Sequence, residues 1–381
     1  MTFSGVFTHR GRRSAGRSGV ALTAAALMMG AVAGCGGSSE EESGAGSDAS
    51  AEAPKVALLM PDTDTARYEA RDRPTFEAAL AEKCPDCELL YSNGDADMAK
   101  QQSQAEAALT NGADVLVIDS IDTDAAASIV TRAKQANVPV VAYDRLVNDA
   151  EVDYVVKFDN TQQGVVQGES LVARLAELGD EAGPIVMMNG AANDANSKPL
   201  KNGAHSILDE SPVKIAREYD TPGWNPAEAQ SQMEQALTAI GADKIKGVLA
   251  ANDGLASGAI AALKGAGVDP LPPVTGLDAD LAAVQRILRG EQYMTVYLDV
   301  EKEARTAAAI AAALAQGEEV PADLITGSLN NGLKDVPGAL LETTPVTLED
   351  IKPVLIDSGY LKAAEVCTGN LKSKCAEAGI D

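Results

Sequence analysis

The sequence predicts an α/β protein of two similar lobes, each a parallel sheet covered by helices on both faces. Two observations predict it. From residue 55 on, short apolar runs alternate with longer amphipathic segments, the pattern of strands joined by crossover helices. That series runs through twice over about 325 residues, a length that suits two cores better than one. In the first series, residues 55–60 read as a buried strand and 66–82 as a helix with apolar positions at 3.6 spacing. Then follow 88–91 (strand), 97–110 (helix), 114–118 (strand), 123–136 (helix), 138–142 (strand) and 152–158 (strand). The second series takes 161–177 (helix), 184–188 (strand), 193–209 (helix), 213–218 (strand), 226–240 (helix), 247–250 (strand) and 254–265 (helix). It closes with 273–276 (strand), 279–289 (helix), 293–297 (strand) and 300–316 (helix).

The residues before this pattern decide the compartment. Arg10, Arg12, Arg13 and Arg17 form a basic start, and an apolar run covers 19–33. Residues 1–34 therefore read as a secretory signal; the run is shorter than the ~20 residues a membrane span needs. Val32-Ala33-Gly34-Cys35 resembles the bacterial lipobox, in which the cysteine is diacylated and becomes the new N-terminus; the alternative is an ordinary signal with an incidental cysteine. Two acyl chains suffice for stable anchoring. Residues 36–53 hold Gly, Ser, Ala and Glu almost throughout, with no branched aliphatic or aromatic side chain, and read as a flexible tether behind Cys35. The expected location is extracytoplasmic, on the outer face of the cell membrane.

Composition narrows the ligand. Without the four arginines ahead of Cys35, the 31 basic groups fall to 27 against 56 acidic ones, a net charge near −29. Such a surface repels nucleic acid and anionic lipid, and it calls for a neutral or cationic ligand or for local basic groups. Cys84, Cys87, Cys367 and Cys375 remain, an even number that favours disulfides in an exported protein. Their spacing suggests two local bridges, Cys84–Cys87 and Cys367–Cys375. A Cys-x-x-Cys can also be redox-active or half a zinc site. Here it ends a helix, where no helix N-terminus lowers a thiol pKa, and a structural clip is expected.

In open parallel sheets ligands sit beyond the carboxyl ends of the strands. The residues there are polar: Asp62, Thr63, Asn93, Asp119, Asp144, Arg145, Asp159, Asn160, Asn189, the 193–196 run, Trp224, Asn252, Asp253 and Asp278. Helix caps account for some of them, Asp253 among them. Capping does not explain Arg145 directly after Asp144, nor the only tryptophan in a Gly223-Trp-Asn-Pro226 loop. A pyranose asks for planar bidentate partners at its hydroxyl edges and a flat apolar ring at its C–H face. Both kinds are present. The other reading of Trp224 is a lid packed on its own domain.

Several separated motifs carry a resemblance that runs from about residue 55 to about residue 361. They are Ala142-Tyr-Asp-Arg145 with Asn148-Asp149, Phe158-Asp-Asn160, Ala251-Asn-Asp253, Gly276-Leu-Asp-Ala-Asp280, Met294-Thr-Val-Tyr297 and Asn331-Gly-Leu-Lys-Asp-Val-Pro337. In this order they resemble the D-xylose-binding proteins of ABC importers, in the ribose/galactose-type periplasmic-binding group. The resemblance implies a type I periplasmic-binding fold, with two Rossmann-like lobes, a three-segment hinge and a monosaccharide in the cleft. By that likeness Asp144 and Arg145 bind sugar hydroxyls from the first lobe. Asn196, Asn252 and Asp278 bind from the second lobe and the hinge side, and Trp224 stacks on the ring. Asp194 shares the loop of Asn196. Three positions depart from the family. Tyr68, in Arg67-Tyr-Glu-Ala-Arg71, stands where a second stacking tryptophan is expected, Ala195-Asn196 replaces paired asparagines, and Leu298 replaces a lysine. Loss of a charge-assisted hydrogen bond, ~1.5–3 kcal/mol, is enough to change which sugar is preferred.

The expected boundaries are 54–159 plus 299–330 for the N-terminal lobe, 160–298 plus 331–366 for the C-terminal lobe, and 367–381 as a tail. Crossings between lobes are expected at 159–160, just after Tyr297, and at 326–335. The resemblance implies a monomer that works with an ABC permease and an ATPase; no Gly-x-x-x-x-Gly-Lys-Ser/Thr pattern occurs in this chain. A sensor subunit that presents its closed form to a membrane receptor is the alternative. An enzyme is the rival of another class. After the signal only His205 remains, without a Gly-x-Ser-x-Gly elbow or a His-Glu-x-x-His. No cofactor is expected, and no metal, since no EF-hand-like run is present.

Overall fold

The structure is a computed structural model that describes residues 53–380; the signal, Cys35 and nearly all of the tether lie outside the described residues. The first sheet contains β1 (Lys55–Met60), β2 (Glu88–Asn93), β3 (Val115–Ile118), β4 (Val140–Tyr143) and β5 (Tyr154–Phe158). The second contains β6 (Pro184–Asn189), β7 (Lys214–Asp220) and β8 (Gly247–Ala250). β9 (Thr295–Leu298), β10 (Gly327–Asn330), β11 (Asp335–Leu341) and β12 (Thr343–Val346) follow. The first sheet has the order β10-β11-β5-β4-β3-β1-β2 and is parallel except for the β10–β11 hairpin. The second has the parallel order β7-β6-β8. β3 and β4 are wholly buried, as continuous apolar runs covered on both faces must be.

Helices α1 (Arg73–Lys83), α2 (Met98–Thr110) and α3 (Ala127–Gln135) belong to the first sheet. In the second half come α4 (Asn160–Glu177), α5 (Ser197–Leu208), α6 (Pro226–Ile240), α7 (Asp253–Gly265) and α8 (Leu281–Arg289). α9 (Val300–Ala315) returns to pack on α1 and the first sheet. The expected strand 273–276 is less regular than predicted but is stitched in place. Val248 N donates to Pro273 O at 2.9 Å, Tyr293 N to Val274 O at 2.9 Å and Val296 N to Gly276 O at 3.1 Å.

Two boundaries differ from expectation. Residues 335–341 were expected in the C-terminal lobe but form β11, which pairs with β5 of the first sheet. The 331–334 turn, with Gly332 at φ 94°, folds β10 back on β11 rather than crossing between lobes. The third crossing therefore falls at Glu342, between β11 and β12, which pairs with β9. With 158–160 and 298–300 it makes three connecting segments. The expected tail 367–381 is also more than a tail: Leu371, Cys375 and Ile380 are buried in the main core, and Gln285 of α8 donates to Thr368 Oγ1 at 3.5 Å. The sulfurs of Cys84 and Cys87, and of Cys367 and Cys375, stand at disulfide distance.

Candidate ligand-binding site

Each sheet delivers its strand-end loops to the same cleft. Three of the residues that do so hold a positive φ without being glycine: Asp144 at 57°, Trp224 at 53° and Asp278 at 106°. Backbone strain of this kind persists where the surroundings over-determine it, and it concentrates at functional sites. Tyr68, Asp144, Arg145, Asn196, Trp224, Asn252 and Asp278 line one cavity of about 40 Å³. Asp194 does not line it but lies directly behind. All eight residues singled out in the sequence thus meet at one place.

Arg145 and Asp194 join the lobes. Arg145 Nε lies 2.7 Å from Asp194 Oδ2, and the same oxygen accepts Trp224 Nε1–H at 2.8 Å. The indole is thereby held at its nitrogen, while the adjoining edge of its six-membered ring lies over Gly190, where an added Cβ would stand 2.0 Å from Trp224 Cζ2. The same Arg145 Nε lies 3.4 Å from Asp119 Oδ1, and Arg145 Nη2 lies 3.9 Å from Asp62 Oδ2. Burial pushes the Asp119 carboxyl well up, against the pull of Arg145.

A second guanidinium, missed in the sequence, organises the opposite wall. Arg67 lies 2.8 Å from Glu303, 2.9 Å from Asp72, 3.7 Å from Asp144 and 4.0 Å from Asp278. It lines the cavity beside Tyr68, whose hydroxyl donates to Asp144 Oδ2 at 3.2 Å. Burial would raise Asp144, but Arg67, Arg145 and Lys157 together hold its carboxyl below the usual range. Asp278 goes the other way: burial pushes it well up, and Arg67 at 4.0 Å does not offset this. Leu298, where the resemblance expects lysine, is an apolar part of the wall.

Asn252, not Asp253, caps α7, its Oδ1 accepting Leu255 N–H at 2.9 Å. Asp253 is instead buried behind the cleft. It accepts from Gln292 Nε2 at 2.7 Å, Thr295 Oγ1 at 3.0 Å and Asp280 N at 3.0 Å. Burial and the neighbouring Asp280 push Asp253 up to about 7, and burial pushes Asp280 to about 6. Both carboxyls hold a proton more tightly folded than unfolded. Their stabilising contribution is complete below about pH 4 and is lost as pH rises through about 6 to 7. Raising pH from 5 to 8 should lower the melting temperature, and Asp253→Asn, neutral throughout, should flatten that fall. An unchanged pH slope in the variant would contradict this assignment.

Two lobes closing polar loops and one indole around a buried space define a protein that captures a solute. Residues 56–319 match the family described as periplasmic binding protein domain. The chain is 36% identical over 316 residues to the D-xylose-binding periplasmic protein of Escherichia coli K12, covering 82% of this chain and 92% of that one. It is 34% identical to a multiple sugar-binding periplasmic receptor of Rhizobium radiobacter, with 82% and 92% covered. Among solved structures, an ABC transporter solute-binding protein from Clostridium phytofermentans with bound β-D-glucose superposes with a TM-score of 0.75. It is 30% identical, over 82% of this chain and 99% of that one. The chain belongs to the periplasmic binding protein family, in its D-xylose-binding-like branch, and has the type I fold. It is a binding protein of the ABC-transporter kind, not an enzyme. Among the described residues no helix is long and apolar enough to cross a membrane.

Proposed function

We propose that this protein binds a monosaccharide, D-xylose or a closely similar aldose, outside the cytoplasm and delivers it to an ABC importer by closure of its lobes. The observation that carries the reading is the shared cavity, in which carboxylate, amide and guanidinium groups from both lobes meet a single indole. Asp144, Arg145, Asn196, Asn252 and Asp278 would grip the hydroxyl rim, with Trp224 and Tyr68 against the ring faces. Asp194 would act through Arg145 and Trp224, which it holds. The curated relatives named above bind sugars by their names, and the acidic surface favours an uncharged ligand. Diacylation at Cys35 would keep the protein beside the permease.

The test is a melting panel of the purified protein with D-xylose, D-glucose, L-arabinose, D-ribose and D-allose. A sugar at 100 times its dissociation constant stabilises by about 2.7 kcal/mol. At least one pentose or hexose should raise the melting temperature, and a flat panel overturns the reading.

A further inference from the structure

One buried charge remains outside the site as described. Lys157 lies in β5, in a strand that is otherwise Tyr-Val-Val and Phe, and it is only 7% exposed. Among the described residues its Nζ makes one hydrogen bond, to Asn196 Oδ1 at 2.9 Å, and no carboxylate lies within ion-pair distance. An ammonium has three donors, and burying one with so few partners is costly. Its negative surroundings are Asp144, Asp194, Glu303 and Asp159, all at longer range. The bond crosses the cleft, because β5 belongs to the first sheet and Asn196 directly precedes α5 of the second lobe.

That single bond has a consequence for the cavity wall. An amide whose oxygen is taken by an ammonium must turn its NH2 the other way. Asn196 Nδ2 accordingly donates to Asp144 Oδ1 at 3.0 Å, so the asparagine is clamped between two first-lobe residues. Asn196 and Asp144 both line the cavity, whereas Lys157 stands behind them. Resting on the sugar-binding reading, we infer that Lys157 is a positioning residue for specificity. It fixes the orientation of the Asn196 amide, so that this position offers a sugar hydroxyl its remaining N–H donor rather than an acceptor, and it makes that orientation available only when the lobes are closed.

Titration calorimetry with D-xylose and D-glucose tests this on the wild type, Lys157→Met, Asn196→Ala and the double variant. Removing a charge-assisted bond should weaken binding about tenfold or more in Lys157→Met. In the Asn196→Ala background the same change should cost less than about twofold, because the residue it positions is gone. Lys157→Gln, which keeps one N–H donor for Asn196, should recover most of the loss. It also decides the matter if the methionine variant does not melt cooperatively. Equal losses in both backgrounds would mean a merely structural lysine and would overturn the inference, as would wild-type affinity in Lys157→Met. If the wild type binds neither sugar and the melting panel is flat, the sugar reading itself fails and the inference goes with it.

Discussion

Trp224→Ala should abolish the sugar-induced rise in melting temperature while leaving a cooperatively folded protein. The indole is the largest side chain lining the cavity, and truncating such an anchor costs at least about 2 kcal/mol of binding, or roughly thirtyfold in affinity. Gly190→Ala should produce the same loss without altering the ring. Its methyl would stand 2.0 Å from Cζ2, and an indole tied to Asp194 through Nε1 cannot retreat without breaking that bond. Titration of both variants with the sugar that shifts the wild-type melt checks the pair. Retained affinity in either one would mean that the indole is a lid on its own lobe.

Arg145→Met should loosen closure and lower stability together. The guanidinium is 4% exposed and lies between Asp194 of one lobe and Asp119 and Asp62 of the other. Removing one member of a buried ion pair costs about 3–5 kcal/mol, because the remaining charge is stranded. Asp119 is already pushed towards its protonated form by burial and so bears part of that loss. The inter-lobe share should appear as a larger radius of gyration in small-angle scattering without sugar. A urea melt gives the stability change. A variant as compact and as stable as the wild type would show that the Arg145–Asp194 contact does not hold the lobes together.

The fold and most of the site were legible because their signals were local. Short β-branched runs such as Val-Leu-Val-Ile at 115–118, set between amphipathic segments, read as strands buried on both faces, and loops beyond such strands gather at one end of a sheet. Arg67 gives little signal in the sequence because it lies among exposed-looking charges at the start of the expected helix 66–82. Only packing against α9 brings Glu303 to within 2.8 Å of it, across more than two hundred residues. Lys157 leaves a plainer mark, a charge inside an apolar strand, but ligand groups are expected beyond strand ends rather than within strands. The third crossing was misplaced because the Asn-Asn-Gly turn at 330–332 reads equally as a connector or a hairpin. Pairing of β11 with β5 decides between them, and that pairing is non-local. Asp253 looked like a cap because capping preferences treat Asp and Asn nearly alike; the backbone turns one residue earlier.

A space of about 40 Å³ holds a water or two and is far below the several hundred Å³ of an ordinary small-molecule pocket. On the sugar-binding reading, a space this small would not receive a ring as it stands. Each capture would then wait for the halves to part, so uptake would cease to quicken with added solute once parting itself becomes the slow event. Discharge would meet the same bolt from inside. A membrane partner that pries Asp194 away from Arg145 would free the cargo without ever touching it.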